Sequence, residues 1–239
     1  MARPRCRAWV FALCLSIFAA TCPAGQAEAR EERVVAIGER EMRIALGGGD
    51  CFFDADQPAG RELLDQLTAT SGGRFVVLLA FSGCEAIDGW RRDHRRALPR
   101  FGYVMIAETH LEPVFDFDQQ TLSDAISQAL KQHGVTDYRS DMARLARDLE
   151  AAWTTLGPGG RMELGIVHRD RYGPVQATVL AVPSGDGLGI VPRVMLHQSL
   201  MASGKVISVV AVRDYETVET VFDTYGDLSK AVEATASRN

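Results

Sequence analysis

Residues 161–214 read RMELGIVHRDRYGPVQATVLAVPSGDGLGIVPRVMLHQSLMASGKVISVVAVRD. Within this stretch RMELGIVHRD and GPVQATVLAV flank a short RY turn, and GIVPRVMLHQSLMA and KVISVVAVRD flank SG. Long β-rich runs around tight polar turns are successive hairpins. Strands joined by so few residues pair antiparallel, because a parallel connection needs a dozen residues or more. Upstream, RVVAIG (Arg33–Gly38) and EMRIAL (Glu41–Leu46) predict another hairpin, while RFVVLLAF (Arg74–Phe81) and FGYVMIAE (Phe101–Glu108) are continuous apolar runs of the buried-strand type. Helical periodicity covers PAGRELLDQLTA, with Pro58 in its first turn, TLSDAISQALKQHG, stopped by Gly134, and DMARLARDLEAAWTTLG, with Asp141 as a candidate cap. A last helical stretch, YETVETVFDTYGDLSKAVEATAS, has its weak point at Gly226. The expected class is therefore α+β: an antiparallel β-sheet flanked by helices.

The N-terminus sets the compartment. Arg3, Arg5 and Arg7 precede the apolar run AWVFALCLSIFAA, and TCPAGQAEA ends in an A-x-A pattern at Ala27–Glu28–Ala29. That order is a secretory signal peptide over residues 1–29, with cleavage before Arg30. An uncleaved anchor and lipid attachment at Cys22 are the alternatives; the apolar run is short for a span of about 20 residues, and Thr21 precedes Cys22 where a lipobox wants a smaller residue. Residues 30–239 then form one expected domain. Cleavage changes the charge from −5 to −7, with 23 basic against 30 acidic residues left. An acidic chain argues against general nucleic-acid binding. The expected location is periplasmic or secreted, with no integral membrane segment after cleavage.

Cys6, Cys14 and Cys22 leave with the signal, so Cys51 and Cys84 remain as an even pair in an oxidising compartment. They are expected to form a disulfide, the alternative being two separate buried thiols. Cys51 lies in GGGDCFFDADQPAGRELL (residues 47–64), which has three other readings. A P-loop needs a Lys that is absent here, and Asp50 would repel phosphate. Asp54 and Asp56 mimic the start of a calcium loop, but Gln57 and Pro58 begin a helix where further ligands belong. The acids are expected instead to favour the positive end of that helix.

The order hairpin, helix, central strand, helices, paired hairpins and C-terminal helix resembles the α/β/α sandwich of PsbP-like domains. The segment CFFDADQPAGRELLDQLTATSGGRFVVLLAFSGCEAIDGWR also resembles a set of secreted bacterial proteins that pair a cysteine before a Leu-Asp-like loop with a second cysteine after a buried strand. The resemblance implies a disulfide and an envelope location, and carries no catalytic residue over.

No chemical motif stands out. His94, His110, His133, His168 and His197 form no H-E-x-x-H, and there is neither a C-x-x-C nor a G-x-S-x-G elbow. His168 and His197 lie in hairpin strands that would allow a facing pair. No catalytic, cofactor-binding or metal residue is assigned, and no cofactor is expected. The densest charge cluster is WRRDHRRALPR: Trp90 with Arg91, Arg92, Arg95, Arg96 and Arg100. Arginine forks suit phosphates and carboxylates, so Trp90, Arg91, Arg92, Arg95 and Arg96 form a candidate surface for an anionic lipid or an envelope partner; the competing reading is a solvated helix face. The expected function is a non-enzymatic binding or scaffold protein of the envelope. The alternative is a secreted hydrolase with a spatially assembled Ser/His/Asp site.

Overall fold

The structure is a computed structural model, and it describes residues 31–94, 97–184 and 189–239. The expected signal peptide, residues 1–29, and Arg95 and Arg96 lie outside the described residues. The chain begins with a ribbon of β1 (Glu32–Ile37) and β2 (Arg40–Ala45). It continues through β3 (Asp50–Phe52), α1 (Pro58–Thr70), β4 (Phe75–Gly83), α2 (Cys84–Arg92) and β5 (Arg100–Ala107). Next come α3 (Gln119–Gln132), β6 (Thr136–Asp137) and α4 (Met142–Thr155). The expected double hairpin follows as β7 (Arg161–Asp170), β8 (Gly173–Pro183), β9 (Ile190–Ala202) and β10 (Lys205–Asp214), before α5 (Glu219–Ala236).

Eight strands make one sheet in the order β3–β4–β5–β10–β9–β8–β7–β6. Every pairing is antiparallel except β6 with β7. The class is α+β, as the sequence predicts. The free edges are minimal, three residues in β3 and two in β6, which leaves little strand for another chain to extend. Gly165 makes the β6 edge possible: a Cβ there would lie 2.2 Å from the Thr136 carbonyl oxygen.

Alternating residues feed two different layers. Val209 and Ala211 of β10 join the main core with Leu145 and Leu149 of α4 and Leu228 and Val232 of α5. Val210 and Val212 point to the opposite face, where they meet Met195, Phe101 and Tyr103. On that second face α1 and α2 cover β4 through Leu64, Ile87 and Trp90. Helices thus pack on both sides of the sheet.

Three anchors tie remote segments down. Thr235 of α5 accepts from the Ala45 amide (3.3 Å) and donates to its carbonyl (3.1 Å), docking the helix on the ribbon. Lys205 is buried, and its ammonium donates to the carbonyls of Leu111, Glu112 and Pro113 at 2.6, 3.1 and 2.9 Å. The loop that leads from β5 to α3 is therefore clamped to the start of β10. Arg100 pairs with Asp50 (2.6 Å) and Asp227 (2.8 Å), and Arg213 with Asp227 (2.6 Å), linking β3, β5, β10 and α5.

Cys51 on β3 and Cys84 at the start of α2 are joined by a disulfide, their Cα atoms 4.8 Å apart. β3 itself is hidden in the sequence by the glycines before it and the aspartates after it. The last helix begins at Glu219 rather than Tyr215 and runs through Gly226 unbroken, because Thr224, Leu228 and Ala231 bury its inner face. Replacing both cysteines by serine is expected to lower unfolding stability by about 3–4 kcal/mol, the loop-closure term for a crosslink of this span. Urea titration of the double variant against the wild type measures it, and a difference below about 1 kcal/mol would refute the staple role.

Candidate functional site: a groove on the second sheet face

The helices do not close the second face. α1 and α2 sit over β3 and β4, and α3 packs on β8 and β9. Between them the sheet floor is open as a cavity of about 570 Å³. Its walls are Leu67 and Thr70 of α1 with Ser71 and Arg74 just after it, and Leu130, Gly134 and Val135 at the end of α3. Its floor carries Val77, Tyr103, Met105, Met195, His197, Gln176 and Thr178. Arg161 and Glu163 of β7 stand at one rim. The volume lies within the range of about 300–1,000 Å³ usual for small-ligand sites.

Strand register explains why these side chains converge. His197 lies opposite Gln176 on β8 and opposite Val210 on β10, and Val210 lies opposite Tyr103 on β5. Four adjacent strands thus set Tyr103, Val210, His197 and Gln176 in one row on one face. Met195, two residues from His197 on β9, fills the next row beside Thr178. The Tyr103 hydroxyl donates to the Met195 Sδ at 3.4 Å, a weak acceptor. Burial raises the Tyr103 pKa, and the Arg161 charge opposes it. Burial pushes the His197 imidazole down to about 4, the Arg161 charge pushes the same way, and Glu163 opposes weakly. The floor histidine is therefore neutral at ordinary pH.

The histidines of the sequence do not meet. His168 faces the other layer and packs against the Tyr225 ring of α5, tilted to it with centroids 4.0 Å apart, so the facing pair with His197 does not form. Burial, with Asp170 accepting the hydroxyl at 3.1 Å, pushes the Tyr225 pKa up to about 12. Asp54 does not cap α1. Its carboxylate accepts from the Asp56 amide (3.1 Å) and the Gln57 side chain (3.1 Å), and Gln57 occupies the cap position without a side-chain bond. Among the described residues no three His, Cys, Asp or Glu side chains are grouped to hold a metal.

The arginine segment divides. Trp90 turns inward, edge-on to Phe53 with centroids 5.0 Å apart, and belongs to the core under α2 rather than to a surface. Arg91 and Arg92 are exposed at the end of α2, Arg91 paired with Asp88 at 3.2 Å. Arg100 is taken up by Asp50 and Asp227. None of these residues lines the groove. Of the groove residues the sequence pointed only to His197, as a possible partner of His168; Gln176, Thr178, Met105 and Met195 carry no motif.

No protein-family model, curated protein or solved structure matches this chain. The groove is thus read from its own chemistry.

His197 gives a pH signature. As pH falls below about 6.5 the unfolded chain takes up a proton on this imidazole, while the folded chain does so only near 4. The unfolded state binds more protons across that window, so stability declines through it and is not regained below it. Arg74, Arg161, Glu163 and Tyr103 are the charged or titratable groups that line the same cavity. The stability difference between wild type and His197→Gln is expected to shift against the wild type between pH 6.5 and 4; parallel melting curves of the two proteins over that range would contradict it.

Proposed function

We propose that this chain is a secreted or periplasmic binding protein, without catalytic activity of its own, whose ligand sits in the groove between α1 and α3. The observation that carries the reading is the furnishing of the floor. Gln176, Thr178 and His197 set polar side chains beside Val77, Tyr103, Met105 and Met195 in one cavity. A few polar groups converging in a cavity with an apolar lining are what fixes the orientation of a small ligand. The disulfide fits an oxidising compartment, and no helix among the described residues is long and apolar enough to cross a membrane. Helices on both faces of a mostly antiparallel sheet support the PsbP-like reading of the architecture, which leaves function open.

The hydrolase reading draws no support from the groove, since among the described residues no serine or carboxylate is seen hydrogen-bonded to His197. An anionic lipid or envelope partner on the face carrying Arg91 and Arg92 is a second surface, apart from the groove, supported by the exposure of both guanidiniums.

The test uses three proteins: wild type, Gln176→Trp to fill the groove, and Arg91→Gln/Arg92→Gln to neutralise the end of α2. Each is exposed to envelope extract, washed, and measured by native mass spectrometry and thermal melting. Wild type and the arginine variant are expected to retain a small-molecule adduct and melt a few degrees higher, because a ligand of the folded state stabilises by mass action. Gln176→Trp, with an unchanged circular dichroism spectrum, is expected to show neither. Retention by the filled protein would overturn the groove reading, and loss confined to the arginine variant would move the binding surface to α2.

A further inference from the structure

We propose that the groove recognises a small organic carboxylate: an apolar body lies over Tyr103, Met105 and Met195, and Arg161 meets the anionic head. The inference rests on the groove being a binding seat and adds the class of ligand.

Charge comes first. The chain carries a net charge of −5, yet the charged groups around the groove are Arg74, Arg161 and Glu163, an excess of one cation. Neither arginine is held firmly. Arg74 has only a long bond, 3.5 Å, from its Nε to the Ser71 carbonyl. Arg161 reaches Glu163 at 3.2 Å, but the two side chains are 47 % and 79 % exposed. A pair so open to water contributes about 0–1 kcal/mol, so Arg161 exchanges it readily for a better-placed anion. A guanidinium offers a planar fork that matches a carboxylate with two parallel hydrogen bonds.

The floor next to Arg161 supplies donors as well as charge. Arg161 lines the same cavity as Tyr103 and His197. The Tyr103 hydroxyl spends its hydrogen on the Met195 sulfur at 3.4 Å, a bond that a carboxylate oxygen would outcompete. The neutral His197 imidazole carries one N–H, and the Thr178 hydroxyl and the Gln176 amide add others. A dianion such as a phosphate monoester would also meet Glu163 at the same rim, while a single carboxylate displaces Glu163 from Arg161 and leaves it in water. The lining also has an apolar, adaptable part: Leu67, Val77, Met105, Leu130 and Met195. Methionine and leucine accept either a flexible chain or a ring. A chain acid and an aryl acid share the head-group chemistry, and the two arms of the test separate them.

The full secreted chain is titrated by calorimetry with decanoate and with phenylacetate, each beside its neutral counterpart, decanol and phenylethanol. At least one acid is expected to bind at least about tenfold tighter than its alcohol, the scale of one charge-assisted contact. The tighter of the two acids identifies the body as chain or ring. Arg161→Gln is expected to remove that preference while leaving alcohol binding within about twofold, and Glu163→Gln to strengthen acid binding. Both positions are exposed, so folding is not at stake in either variant. Equal binding of acid and alcohol, acid binding unchanged in Arg161→Gln, or no binding of either acid up to millimolar concentration would each overturn the carboxylate assignment. If the acids fail while wild type still retains an envelope adduct that Gln176→Trp loses, the groove reading stands and only the ligand class falls.

Discussion

A sheet that is apolar on both faces must be covered on both, and this chain meets that demand unevenly. Along β10, Val209 and Ala211 are sealed under α4 and α5, while Val210 and Val212 look toward a face that α1, α2 and α3 only partly roof. Completing the cover would take one more helix over β5, β10 and β9. In its place stands a cavity with methionines, a tyrosine, a histidine and an arginine around it. The candidate site is the gap left by the packing of the fold.

The gap persists because its borders are fixed from outside it. The disulfide holds β3 to α2, and α2 and α1 share the small core of Phe53, Leu64, Ile87 and Trp90. On the other side, Lys205 clamps the loop before α3, and the Gln119 side chain at the start of α3 donates to the Tyr172 carbonyl at 2.5 Å and accepts from the Met201 amide at 2.7 Å. Neither wall can slide over the floor without breaking what holds it: the disulfide and small core on one side, part-buried hydrogen bonds on the other. A seat of this kind is largely formed before anything binds, which limits the ordering cost of binding.

The sequence carried the sheet more clearly than the site. Two-residue turns at Arg171–Tyr172 and Ser203–Gly204 leave antiparallel pairing as the only geometry, so the β7–β10 unit was legible from the chain alone. β3 was not, because Asp50–Phe52 becomes a strand only through its pairing with Ser82 and its neighbours on β4. Trp90 was misplaced by its company of arginines; its spacing of three from Ile87 on a helix already pointed inward. His197 resisted reading for a deeper reason. A strand buried on both faces shows no polar alternation, so nothing local distinguishes a histidine on a groove floor from one in a packed core. Only the distant placement of α1 and α3 decides which it is.

Methyl resonances report on this placement most directly. Met105 and Met195 lie on the groove floor, whereas Met42 and Met162 pack in the core of the opposite face. With methyl-labelled methionine, titration with decanoate is expected to move the Met105 and Met195 signals along a saturating curve and leave Met42 and Met162 in place. Unmoved floor methionines, or equal shifts on both faces of the sheet, would contradict the groove as the binding seat.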